Sequence, residues 1–142
     1  MKAAELMTGV RAPLSRGGFD LSPSLGLGSG SCTLYQRDGE RVTVMRIVLS
    51  TGGLRKRVED QLAQGARRLP EIVPESVGYY FQPANTEENE AYAVLVRGEA
   101  ELSIQLEIGA PGRDNAADVL AMMKLIAPKL ITDDSAPTPD KG

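Results

Sequence analysis

Lys56, Arg57, Arg67 and Arg68 stand in two basic pairs eleven positions apart. If one helix carries both pairs, eleven residues make about three turns, so Lys56 stacks over Arg67 and Arg57 over Arg68. Such a stripe, interrupted by Asp60 and Gln64, offers contact to an acidic protein surface or to anionic lipid. A solvated helix face is the plainer reading of the same pattern. The second grouping is aromatic: Tyr79, Tyr80, Phe81 and Tyr92 hold most of the aromatic surface, with Arg97 shortly downstream. Tyr79, Tyr80 and Arg97 are the candidate lining of a small-ligand pocket, and Tyr92 a candidate partner contact, because tyrosine joins apolar area to a hydroxyl. Alternating tyrosines are also ordinary packing on a strand.

The chemistry these groups leave out is clearer. The chain has no histidine and one cysteine, Cys32. Zinc constellations, Ser/His/Asp and Cys/His nucleophile pairs and an intramolecular disulfide are thereby removed. No motif places a carboxylate pair for acid–base work, so no catalytic, metal-binding or cofactor-binding residue is assigned, and the reading is non-enzymatic. Gly26, Gly28 and Gly30 alternate as in a phosphate loop, but a strand follows them and no Lys-Ser/Thr pair closes the motif. They read as a turn-rich lead into a hairpin. Glu87, Glu88 and Glu90 read as a solvated acidic loop. Cys32, beside Leu34 on a strand pattern, reads as a small buried hydrophobe.

Sixteen Lys and Arg against nineteen Asp and Glu give a net charge of −3, and there are only two Phe, four Tyr and no Trp. Neither a basic surface nor aromatic platforms are present for nucleic acid. At 142 residues and 15.2 kDa the chain fits one domain, drawn over residues 1–132, with 133–142 as a disordered tail rich in Pro and Asp. No run approaches the roughly 18 apolar residues of a membrane span, and the N-terminus lacks the apolar core of a leader. A membrane connection would therefore need a leader or anchor outside this sequence.

The elements that must position these groups centre on residues 92–108. Leu102, Ile104, Leu106 and Ile108 alternate with Ser103, Gln105 and Glu107, which gives one buried and one wet face. The run before it, from Tyr92, meets it across Arg97-Gly98-Glu99. Upstream, Asp38-Gly39 predicts a hairpin between 32–36 and 41–49, whose return strand is apolar enough to lie inside the sheet. Leu54, Val58, Leu62, Ala66 and Leu69 predict an amphipathic helix stopped by Pro70, with Thr51 as its cap. Val77–Gln82 predicts a short strand. Asp114 opens a last helix that Pro128 ends or kinks near Ala127. A two-turn helix over 2–10, an edge strand held to the sheet margin by Pro23, and a turn at 109–112 complete the chain. The fold class is α+β: a mostly antiparallel sheet of five to six strands packed with two main helices, in the order β-β-α-β-β-β-α, preceded by the short N-terminal helix.

Residues 31–131 also carry a family resemblance. The Cys32-x-Leu34 strand with its Asp38-Gly39 hairpin, the self-complementary strand pair from Ala91, and the segment from Asp114 to Leu130 are similar to small exported domains of actinobacteria, many of them lipoproteins. The element order resembles the Mog1/PsbP-like fold, which includes secretion adaptors. The resemblance implies a binding or accessory role and assigns no site residue. The expectation is an extracytoplasmic, envelope-associated domain that meets a protein or lipid partner through a sheet face or edge, with self-association as an option. The alternatives are a cytoplasmic chaperone, adaptor or immunity-type protein, or a small-ligand binder.

Overall fold

The computed structural model describes residues 14–20, 29–35, 43–51, 55–82, 90–107 and 114–131. The expected N-terminal helix, Gly26 and Gly28, the Asp38-Gly39 turn, Pro23, Glu87 and Glu88, Ile108, the 109–112 turn and the tail lie outside the described residues.

The described strands form one antiparallel sheet. They are β1 (Leu14–Asp20), β2 (Ser29–Tyr35), β3 (Thr43–Thr51), β4 (Arg67–Arg68), β5 (Val77–Phe81), β6 (Ala91–Arg97) and β7 (Ala100–Leu106), arranged β1-β2-β3-β7-β6-β5-β4. Helices α1 (Arg55–Ala63) and α2 (Asn115–Leu130) complete an α+β architecture. Six strands have five residues or more, as expected, and the two-residue β4 is an addition. The β6–β7 hairpin closes with Arg97 opposite Ala100, so Gly98 and Glu99 form a two-residue loop. Gly98 sits at φ 60, the positive value that such a loop requires at its first position when the turn matches strand twist.

Register divides the sheet into two unlike faces. Met45, Ile47 and Leu49 of β3 lie opposite Leu106, Ile104 and Leu102 of β7, which in turn face Ala91, Ala93 and Leu95 of β6. Residues Leu102, Ile104 and Leu106 are fully buried, and Val119, Met122, Met123 and Ala127 of α2 join them in one aliphatic cluster. Burying each such Leu or Ile contributes roughly 1.5–3 kcal/mol. On the opposite face, Val58 of α1 packs with Tyr79 and Val96. The helices therefore lie on opposite faces, α2 over β5, β6 and β7 on the aliphatic one and α1 over the β5–β6 end of the other.

Two local expectations are corrected. The first helix stops at Ala63, well before Pro70. Gln64 and Gly65 turn the chain, with Gly65 at φ 109, a conformation open to glycine, and Arg67–Arg68 then pair with Tyr80 and Tyr79 as strand. Thr51, the expected cap of that helix, ends β3 with its backbone paired to Ala100, and the residues between it and α1 lie outside the described ones. The last helix continues through Pro128 to Leu130, where the Ile131 N–H donates to the Ala127 carbonyl at 2.8 Å. Its opening is as expected: the Asp114 carboxylate accepts from the Ala117 N–H at 3.1 Å.

Candidate functional site

The basic stripe does not form. Lys56 and Arg57 are on α1, whereas Arg67 and Arg68 are consecutive strand residues and so project to opposite faces. Three of the four meet carboxylates. Lys56 Nζ lies 3.3 Å from Asp60 one helical turn on, Arg57 reaches Glu101 of β7 at 3.8 Å, and Arg68 reaches Glu59 of α1 at 3.7 Å. These exposed pairs contribute little energy each, but Arg57–Glu101 and Arg68–Glu59 tie α1 to the sheet on the face where Tyr79 lies. Arg67 lies on the other face, its guanidinium 5.8 Å from the centre of the Tyr80 ring.

The expected pocket at Tyr79, Tyr80 and Arg97 does not form either. Tyr79 is buried beneath α1, while its neighbour Tyr80 faces the α2 side. Arg97, 3% exposed, shares that side but sits at the β6–β7 turn, four residues along β6 from Ala93, the partner of Tyr80. Four strand residues span roughly 13 Å. Period two separates the tyrosines, and strand length separates the arginine.

Tyr79, Phe81 and Tyr92 do assemble, on the α1 face. Phe81 lies opposite Tyr92 with ring centres 5.3 Å apart, and Tyr79 stacks on Phe81 at 6.1 Å. Burial pushes the Tyr79 hydroxyl above its ordinary pKa; Glu101 adds to the rise and Arg57 opposes it. Tyr92 is raised by burial, then by the charges of Glu90 and Glu107, and by the hydrogen bond its hydroxyl makes to Glu90. Each tyrosine is thus favoured in its neutral form. Beyond Tyr92 the same face runs across Gln105 and Ser103 of β7, Val48 and Arg46 of β3 and Thr33 of β2. Arg46 is exposed and the others half-buried, and Arg46 reaches Glu107 at 3.9 Å. Among the described residues no helix packs over this strip.

A polar recess of about 400 Å³ lies at the far end of β5, lined by Gly65, Arg67, Phe81, Gln82, Asp114 and Ala116. The side-chain amide of Gln82, one of its lining residues, donates to Asn115 Oδ1 at 3.2 Å. Sequence reasoning missed this recess because Arg67 was placed on a helix; the signal was Gly65, two residues before it. Cys32 is half-buried among the aliphatic cluster, and burial pushes its thiol pKa up, as suits a packing residue.

No family model, curated protein or solved structure matches this chain. Among the described residues no group of three His, Cys, Asp or Glu is arranged to hold a metal ion, and no helix is long and apolar enough to cross a membrane.

Proposed function

We propose that this chain is a non-enzymatic binding domain that receives a protein partner on the strip of sheet running from Tyr92 across Gln105 and Ser103 to Val48, Arg46 and Thr33. One observation carries the reading: α1 caps only the β5–β6 end of its face, and among the described residues no helix packs over the strip beyond it. The strip mixes aromatic, small hydroxyl, amide and charged groups on a rigid antiparallel base, a composition suited to a polar, partly wet interface. Its aromatic end supplies Phe81 and Tyr92, and its far end Arg46 with Glu107. Placement at the bacterial envelope is part of the proposal and is supported by the resemblance to exported domains alone.

A photo-crosslinking residue at Ser103 or Val48, compared with one at exposed Lys124 on α2, tests this in the source cell. One discrete crosslinked species from the strip positions, lost on Gln105→Arg and not obtained from position 124, is the expected result. Equal crosslinking from both faces, or none from the strip while Gln105→Arg leaves cellular function intact, would sink the reading.

A further inference from the structure

The recess at the end of β5 carries two opposite charges that do not meet. Arg67 and Asp114 both line it, yet among the described residues neither forms an ion pair, with the other or with any third group. Arg67 is held by its face, 5.8 Å from the centre of the Tyr80 ring, and a stacked guanidinium keeps its N–H edge for a planar acceptor. Asp114 accepts from the Ala117 N–H through Oδ1, which leaves Oδ2 as an acceptor at the start of α2. Gln82 is oriented by Asn115, itself 2% exposed: the amide nitrogen donates to Asn115 Oδ1, and Oε1 remains as a second acceptor. Half-buried Phe81 supplies an aromatic wall, with its ring held by Tyr79 and Tyr92. Gly65 completes the lining without a side chain, and the space beside its Cα is open.

We propose that this recess binds a small zwitterion, a free α-amino acid with an apolar side chain, whose carboxylate meets Arg67 and whose ammonium meets Asp114 and Gln82. Opposite charges on one cavity select that class. A simple anion that pairs with Arg67 lies close to the Asp114 carboxylate, and a simple cation at Asp114 meets the converse conflict with Arg67. A divalent cation is poorly served too, because Asp114 is the sole carboxylate of the lining and a hard cation takes six or so oxygen ligands. A ligand carrying both charges satisfies both walls at once. Size agrees: about 400 Å³ is near the lower end of small-molecule sites, enough for an amino acid and a few waters. Phe81 gives the apolar side chain a surface to lie on. Arg67 and Asp114 are solvent-exposed, so each contact is modest and the affinity is on the order of millimolar.

The experiment is an NMR titration of the full chain with L-leucine, L-leucine methyl ester and N-acetyl-L-leucine, read at the Gln82 side-chain amide and the backbone amides of Gly65 and Ala116. L-leucine is expected to shift these signals saturably. The ester lacks the carboxylate and the acetyl compound lacks the ammonium, so each binds about tenfold more weakly, the worth of one charge-assisted contact. Arg67→Gln and Asp114→Asn each lower the affinity for L-leucine by about the same factor, and asparagine preserves the helix cap. The variants part on the analogues: Arg67→Gln abolishes the preference for L-leucine over the ester, and Asp114→Asn the preference over the acetyl compound. A purely structural role for either residue moves neither preference. No saturable shift up to the solubility of L-leucine, equal binding of all three compounds, or variants that keep both preferences would each overturn the proposal. If a variant fails to fold, the three compounds on the wild-type chain decide the matter. Crosslinking from Ser103 is indifferent to Arg67→Gln, so this proposal and the protein-binding strip stand or fall separately.

Discussion

Gly78 shows how closely one position can be constrained. A methyl group there would run into the Val94 carbonyl and come within 2.5 Å of Leu69 Cδ1. The first contact is backbone of a central strand and cannot swing away. Gly78→Ala is expected to cost about 2 kcal/mol, read as a lower urea midpoint. Gly65 is the contrasting case. Space around it is open, but φ 109 is foreign to residues with a Cβ, so Gly65→Ala costs about 1 kcal/mol through backbone strain. The tyrosines set the alkaline behaviour. Tyr79 and Tyr92 have hydroxyl pKa values raised above the ordinary 10.0, and Cys32 a thiol raised above 9.0. The folded state therefore holds protons that the unfolded chain releases. Their contribution is complete below about pH 9 and is lost as pH rises through the raised values. Thermal midpoints should fall between about pH 9 and 11, and Tyr79→Phe should flatten that fall.

Neighbouring positions on β7 divide the work of the strand. Leu102 is fully buried between Leu49 and Leu95, whereas Ser103 looks out on the other side. Leu102→Ala is expected to lose about 2–5 kcal/mol. Ser103→Ala should stay within about 0.5 kcal/mol by the same chemical denaturation. This alternation was legible in the sequence because period two is visible wherever one side of a strand is wet. The Gly98 turn, the Asp114 cap and the inward position of β3 were legible for equally local reasons. The end of α1 was not. Apolar spacing continues through Ala66 and Leu69, and only the left-handed turn at Gly65 diverts it; Leu69 then packs against Gly78 as part of the sheet. Pro128 misled in the opposite direction: it lies in the final turn of α2, where loss of one donor is tolerated and Ile131 still closes onto Ala127. The expected pocket failed through the same period that revealed β7, since consecutive Tyr79 and Tyr80 cannot line one cavity.

At the scale of the whole molecule, which face each helix takes was not legible, because β6 is apolar on both sides: Ala93 and Leu95 on one, Val94 and Val96 on the other. Only the register with β5 and β7 assigns α2 to the first and α1 to the second. The sheet order has a related effect. β3 and β7 are far apart in sequence yet adjacent, and their pairing from Met45↔Leu106 to Thr51↔Ala100 joins the first three strands to the rest. A fragment ending at Gln82 loses β6 and β7, and with them the strands that flank β3 and β5. Circular dichroism of that fragment should show no cooperative melting, while the whole chain melts in one transition.

The same junction governs how the chain is made. β3 leaves the ribosome well before β7, and at the usual pace of roughly 5–20 residues per second its bare side waits for several seconds. During that wait Met45, Ile47 and Leu49 have β2 on one side but lack β7 on the other, so the nascent first hairpin is a natural client for a holding chaperone. A pause engineered in translation between β5 and β7 should lower the yield of soluble product.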